Sequence, residues 1–414
     1  MPDKKAYNSP STGYSITVKI ADLDYSNDLL NVRIISSLIG AYQIVTFDML
    51  LDQSDVILEK IYGKEPIKMT IKFVGRGTVH LNTEQVEFEL IHLSSHSQAG
   101  MKKSNPLNTQ KELSRVSFVT VPRKPFKTIT TLVNDVFIAQ TPKSIISELV
   151  SKNTDCQLVY DSDDLNTDTI EQLIIPPTPL YNTIRYIDDN YGLFKGASNI
   201  GFCQYDNKLN IMNLTKRITK TQTFTVYHLS SDSADTSKII EECNDGKKFY
   251  SYTDLVSKYS GNSRFATLSK VINNIVKPKD KLFHNVKQDL STVCNTFGLS
   301  TKNNNLYNDS ILDTRETYKT TSAGNETSEH YANAKMARQI IGLATIGITL
   351  EKDLPILNLL KVGEPVNLIT KTIDYVDLSG KYLLKSSDLY FSKSNVKDWM
   401  AYAKLNLCRT NKTI

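Results

Sequence analysis

Six histidines are the first residues to weigh for chemistry: His80, His92, His96, His228, His284 and His330. His92 and His96 stand four apart, the spacing at which two imidazoles on one helix face share a metal. Their segment, IHLSSH, instead continues a strand-like alternation, and four residues of strand span about 13 Å. No HExxH accompanies them. A nucleophilic Ser or Cys would need a base beside it, and neither a GxSxG elbow nor a GxxxxGK[ST] or GxGxxG phosphate loop occurs. GRG at 75–77 is too short to count and reads as a strand turn. Two acid clusters remain, YDSDD (160–164) and YIDDN (186–190). Paired carboxylates can hold Ca²⁺ or cleave glycosidic bonds, which would make Asp163, Asp164, Asp188 and Asp189 working groups. The first cluster follows a strand as a loop. The second ends a helix, where negative charge opposes the dipole. Both read as solvated loop acids, so the chain is expected to be no enzyme, with no catalytic residue, metal or cofactor.

The bulk composition agrees. The chain has 414 residues, room for several domains, and 40% are hydrophobic, enough for real cores. Tyrosine is abundant, 21 copies against the single Trp399, and suits half-buried strands and interfaces. The net charge of +5 is uneven: from Tyr331 to Ile414 twelve Lys/Arg face seven Asp/Glu, so the preceding residues sum to zero. No tight basic cluster interleaves with aromatics there, and the excess reads as solvated surface rather than a nucleic-acid face. Cys156, Cys203, Cys243, Cys294 and Cys408 are scattered, odd in number and without CxxC. They read as small core hydrophobes in a chain made in a reducing cytoplasm. The first residues lack an apolar leader core, and no run approaches the ~18 apolar residues of a membrane span, so no stable membrane association is expected.

Residues 15–23, 31–52, 66–76 and 83–96 alternate like strands; Val86, Phe88 and Leu90 share one face, with Glu87 and Glu89 opposite. A polar loop is expected at 97–114. The period then changes. In 141–153 Thr141 can cap a helix, Pro142 fits its first position, and Ile145, Ile146 and Leu149 form the apolar stripe. In 178–192 Thr178 is expected to cap, Pro179 to start and Gly192 to stop a second helix. Residues 201–214 read as a hairpin turning at Asp206-Asn207, and 223–229 as a strand. Residues 230–262 and 301–330 are polar excursions, and a helix is expected at roughly 328–341 before a last β block. The fold class is thus mainly β with an α/β insert. We expect 1–124 to be a first β-barrel and 125–215 the insert. Residues 216–330 would hold a strand entering a second barrel plus a polar insert region, and 331–414 would close that barrel.

The second barrel is inferred from an internal echo. Residues 45–71 align without a gap on 344–370. Thr46/Thr345, Leu51/Leu350, Ile57/Ile356, Leu58/Leu357, Glu65/Glu364 and Pro66/Pro365 are identical. Each copy reads strand, loop, apolar stretch, Glu-Pro, strand, then two more strands. A proline with fixed φ and no N–H can begin a strand but not sit inside a ladder. Two similar barrels in one chain suit a symmetry adaptor, because three chains in a closed ring present six similar barrels. The ring-contact candidates are Glu65, Pro66, Ile67 and Met69 and their counterparts Glu364, Pro365, Val366 and Leu368, on strands expected to pair between neighbours and so cover exposed edges.

The stretch PPTPLYNTIRYIDDNYGLFKGASNIGFCQYDNKLNIMNL (176–214) resembles the α/β insert of baseplate hub proteins of contractile-tailed bacteriophages. The closing segments 357–368, 378–393 and 399–411 resemble the last strands of the hub's second barrel. The resemblance extends to the spike proteins of type VI secretion and related contractile injection systems. It implies two tail-tube-like barrels and a homotrimeric ring of pseudo-sixfold symmetry, joining the sixfold tail tube or its initiator to a threefold central spike. It also implies contacts with wedge and tape-measure proteins, DNA passing through the lumen without sequence-specific binding, and a place in the virion's baseplate. A glycan- or receptor-binding tail module is the alternative, since tyrosine-rich strands suit sugar stacking.

Overall fold

A computed structural model describes residues 13–21, 23–38, 42–51, 65–74, 85–101, 113–161, 163–195, 200–205, 208–217, 220–229, 248–251, 256–258, 284–286, 317–319, 345–350, 361–371, 379–393 and 399–409. The polar stretch 301–330 falls mostly outside these residues, as do the helix expected at 328–341 and the GRG turn.

The first strands are β1 (Gly13–Ile20), β2 (Leu23–Asp24), β3 (Leu29–Ser37), β4 (Ile44–Leu51), β5 (Ile67–Val74), β6 (Gln85–Met101) and β7 (Leu113–Pro122). Helix α1 (Arg123–Thr130), β8 (Leu132–Gln140), α2 (Pro142–Asn153), β9 (Gln157–Tyr160) and β10 (Ile170–Pro179) follow, then α3 (Leu180–Tyr191), β11 (Ile200–Tyr205), β12 (Lys208–Asn213) and the one-turn α4 (Leu214–Arg217). The chain continues with β13 (Phe224–Leu229), β14 (Lys248–Ser251), β15 (Val256–Lys258), β16 (His284–Val286), β17 (Thr317–Lys319), β18 (Thr345–Leu350), β19 (Pro365–Lys371), β20 (Gly380–Lys393) and β21 (Trp399–Arg409). The protein is mainly β, and among the described residues the helices are confined to one stretch between β7 and β13.

Alternation decides the large sheet. In β4, Val45, Phe47, Met49 and Leu51 are buried, as the two-residue period requires, and Phe47 stacks on Phe118 of β7 at 4.9 Å. The strand order β3-β4-β7-β6-β5-β1 is antiparallel throughout. β1 meets β21 at one residue pair, Tyr14 and Trp399, β21 pairs β20, and β20 pairs β3, so the pairings close into a circuit. The seam at Tyr14 has little backbone pairing and is sealed by rings: Phe73 at 5.1 Å and Phe391 at 5.0 Å.

The echo segments become matching strands. β4 and β18 occupy the two copies of the first half, and β5 and β19 the second. Met49 and Leu51 are buried, as are Ile348 and Leu350; Ile67 and Met69 are buried, as are Val366 and Leu368. The antiparallel neighbour order β4-β7-β6-β5 recurs as β18-β21-β20-β19. The two copies then diverge, for β5 pairs β1 antiparallel whereas β19 pairs β13 parallel. β13 carries β14 in parallel, and the Ser251 hydroxyl at the end of β14 donates to the Thr349 carbonyl of β18.

β20 belongs to both arrangements. Residues 380–383 pair with β19, residues 386–392 pair with β3, and its pairing with β21 shifts register between Leu384 and Ser386. One apolar core therefore runs from β1 to β21, with Leu383, Leu384, Leu389 and Phe391 of β20 all inside it.

A second core lies between residues 133 and 211. Val133, Phe137, Leu173 and Ile175 of the β8–β10 ribbon pack with Ile145 and Leu149 of α2 and Leu180, Ile184 and Ile187 of α3. β11 and β12 form the expected hairpin, and β12 adds β9 in parallel.

Two expectations are corrected. The loop at 97–114 is cut back at both ends, because β6 runs to Met101 and β7 starts at Leu113. β7 buries Val116 and Phe118, which alternate in RVSFV. Thr178 does not cap α3: it pairs with Val133 in the ribbon, and Pro179 occupies the cap position while the Leu180 amide donates to the Thr131 carbonyl at 3.0 Å. Thr141, free of such pairing, does cap α2, accepting from the Ser144 amide at 3.2 Å.

The stretch Lys361–Glu364 is a β-turn, with the Glu364 amide donating to the Lys361 carbonyl at 3.2 Å and Gly363 at φ +83°. That φ at the third position is the type II requirement for glycine. A Cβ on Gly363 would sit 2.7 Å from Met212 Cε and 3.4 Å from Leu38 Cδ1. Gly363→Ala is expected to lower stability by about 1–3 kcal/mol, read as a fall in the denaturant midpoint; an unchanged midpoint would show that the turn tolerates a side chain.

Candidate functional site

The turn sits where β20 passes from β19 to β3. The Gly363 amide donates to the Leu384 carbonyl at 2.7 Å, the Leu384 amide to the Glu364 carbonyl at 2.9 Å, and the Leu38 amide to the Lys385 carbonyl at 2.9 Å. Pro365 then opens β19 without needing an N–H of its own, as its position after the turn demands.

The α/β unit docks on this turn through Arg217, at the end of α4. Its Nε donates to the Gly363 carbonyl at 3.1 Å, one terminal nitrogen to Asp161 Oδ2 at 3.2 Å and the other to Glu364 Oε1 at 2.6 Å. All three side chains are largely shielded from water, which makes these bonds stronger than exposed pairs. The other oxygen of Glu364 accepts from the Thr223 hydroxyl, and the Thr223 amide donates to the Pro365 carbonyl at 2.9 Å. Asp161 Oδ1 accepts from the Asn213 amide at 2.8 Å, and its carbonyl accepts from Lys220 Nζ at 3.0 Å. Arg217 thus ties the loop after β9 to the turn before β19, and Glu364 links that turn to the start of β13.

Three of the clustered acids, Asp161, Asp164 and Asp188, have structural partners, while Asp163 is exposed. Asp164 pairs with Lys216 at 2.6 Å. Asp188 is not a solvated acid: it is buried at the end of α3 and accepts from the Leu193 amide at 3.2 Å. Among the described residues no three His, Cys, Asp or Glu side chains converge as a metal site. His92 and His96 lie on β6, as strand residues, with a register shift just after His92. The His92 ring is part-buried, edge-on to Phe118 at 6.1 Å, and burial pulls its pKa below the ordinary 6.5. Cys156 and Cys408 are buried free thiols, and burial pushes Cys408 up to about 12, as befits core residues rather than nucleophiles.

The ring-contact candidates fall mostly inside the chain. Ile67, Met69, Val366 and Leu368 are fully buried in the core, and Pro365 is buried beside them. β5 is paired on both sides, by β1 and β6, and β19 by β13 and β20. Glu364 is engaged by Arg217, while Glu65 is exposed and Pro66 half-buried. Those apolar side chains pack in the chain's own core. Four exposed apolar residues do gather elsewhere, on the outer face of the β8–β10 ribbon: Leu132, Val136, Ile138 and Ile174.

Two outcomes follow from this geometry. Arg217→Met leaves Glu364 shielded without its cation and Asp161 with only Lys220, at 3.9 Å, and should cost about 2 kcal/mol, with the α/β unit melting separately from the large sheet in a denaturant titration. A single unchanged transition would remove the clamp from the account. His92 is depressed in the folded state, so its contribution is complete above pH 6.5 and is lost as pH falls below that value. The thermal midpoint of His92→Phe should therefore decline less than that of the wild type between pH 7 and pH 5.

The comparisons with known proteins bear on the whole fold. The structure is similar to a tail protein from Neisseria meningitidis MC58, at 11% identity over 96% of this chain and 97% of that one, with a TM-score of 0.54. It is similar in the same degree to the 43 kDa tail protein of prophage MuSo2 from Shewanella oneidensis, at 12% identity over 96% and 97% of the two chains, TM-score 0.54. The E. coli c3393 protein, a component of the type VI secretion system, aligns at 9% identity over 95% of this chain and 77% of that one, and its TM-score of 0.49 is too loose to carry an argument. No curated protein matches the sequence. The fold is thus that of phage tail proteins. Residues 97–317, more than half of the chain, match a family described as the Bacteriophage PBS1 gene 109 protein, and the chain belongs to that family.

Proposed function

We propose that the chain is a structural hub subunit of a phage tail baseplate, three copies of which close into a pseudo-sixfold ring. The observation that carries this reading is the recurrence of one antiparallel order, β4-β7-β6-β5 and β18-β21-β20-β19, in which β4 and β5 also echo β18 and β19 in sequence. We read the two sets as copies of one tube-like barrel. Three chains then offer six similar units to a sixfold tail tube or its initiator and three to a central spike. The α/β unit at 125–215, held by Arg217, is carried at a set angle on each barrel pair.

The mechanism is symmetry matching, with no chemical step. Asp161, Asp164 and Asp188 have structural partners, which supports a role in assembly. In this reading the lumen passes DNA and the tape-measure protein, and wedge proteins meet the outer surface. A lumen free of dense positive charge would avoid the phosphate contacts that slow passage. Lys361, Lys371 and Lys381 would then face outward or toward a protein. The protein's place is the virion, after synthesis in the host.

Native mass spectrometry tests the reading, on the purified chain alone and mixed with the candidate spike protein of the same genome. A species of three chain masses, alone or with three spike chains, is expected. A persistent monomer under both conditions would overturn the hub, and saccharide binding by that monomer would favour the glycan-binding alternative.

A further inference from the structure

We infer that the outer face of the β8–β10 ribbon is the apolar contact between neighbouring copies of this chain, an inference that rests on the hub reading. Val136 and Ile174 lie directly opposite one another, Ile138 faces Gln172, and Leu132 faces Pro179. Leu132 is 62% exposed, Val136 54%, Ile138 68% and Ile174 62%. The other face of the same ribbon is filled by Val133, Phe137, Leu173 and Ile175, so alternation puts apolar residues on both faces. A strand pair with apolar residues on both sides is the pattern of a sheet covered on both sides, and here one cover belongs to another molecule.

Three observations select a second copy as that cover. The strands whose sequence suggested ring contacts are paired on both edges and bury their apolar side chains, so three copies must bury something else. Among the described residues the other exposed large apolar side chains, Leu23, Leu93, Tyr186 and Tyr390, stand singly on β2, β6, α3 and β20.

The size of the face is the second observation. Four side chains at those exposures leave an apolar face on the order of 400 Å², the scale at which patches on single chains are often functional. A free-standing stable complex buries about 800 Å² on each partner. The ribbon supplies about half of that, which fits a contact made together with others in a closed assembly.

The third observation is the edge. Pro176, Pro177 and Pro179 remove backbone donors from β10, and its register with β8 shifts between Ile175 and Thr178. Prolines at an edge block open-ended strand addition. At that end β10 offers its face rather than an edge for another strand, and a face contact suits a ring of fixed copy number.

The test uses the full chain with Ile138→Lys and, separately, Ile174→Lys. Both side chains already face water, so circular dichroism and the thermal midpoint should match the wild type. The concentration at which half the chain is trimeric should rise at least about tenfold, while Leu23→Lys should leave it unchanged. Variants that trimerise like the wild type would overturn the ribbon contact and leave the hub reading standing. Variants that keep the trimer but lose the spike protein would overturn the choice of a second copy and assign the face to the spike. A wild-type chain that stays monomeric, alone and with the spike protein, would overturn the hub reading and this inference with it.

Discussion

β20 cannot satisfy both of its neighbours with one straight edge. It pairs with β19 up to Leu383 and with β3 from Ser386, and between these it must release one ladder and take up another. The backbone groups at the changeover are buried and need partners. The turn at Lys361–Glu364 supplies them: Gly363 and Glu364 bond both backbone groups of Leu384, and Leu38 takes the Lys385 carbonyl. A glycine is needed because its φ is +83° and because Met212 and Leu38 close over it. The whole sheet depends on this one crossing, since β20 and β21 are shared by both sets of strands.

The same turn fixes the α/β unit. Its own core, between residues 133 and 211, would allow it to stand apart from the large sheet. Arg217 removes that freedom by spending its planar fork on Asp161, Glu364 and the Gly363 carbonyl. A lysine could meet one of those acceptors but not three in fixed directions. Met212, at the end of β12, adds an apolar contact from the same unit. Fold and placement are thus solved at one point, where a shift in the turn would move both the barrel strand and the unit docked on it.

This arrangement leaves the ribbon face outward. The helices α2 and α3 take one side of β8 and β10, and the unit's attachment through β12 and α4 uses another part of its surface. Among the described residues this is the one cluster of exposed large apolar side chains, and in the proposed ring it would meet a second copy. The fold itself is that of phage tail proteins.

How much could be read beforehand follows from the range of each interaction. The alternation in 44–51, 67–74 and 365–371, the capped helix at 142–153 and the hairpin at 200–213 are set by neighbours a few residues away, and the echo between 45–71 and 344–370 is visible because both copies keep the same inward positions. β7 was equally legible in the alternation of RVSFV, beyond a polar stretch that masked it. Local signals do not say which partner a strand will take. Thr178-Pro179 looks like a helix start until Val133 pairs with it, and Asp188 looks solvated until Leu193 folds back on it. The apolar residues after each Glu-Pro looked free to meet a neighbour because period two marks a face without saying what covers it. By itself the sequence determined the elements, their inward faces and the repeat. Only the tertiary structure decided that β20 serves two ladders, that Arg217 locks the turn and that the ribbon keeps an open apolar face, because each of these joins residues tens to hundreds of positions apart.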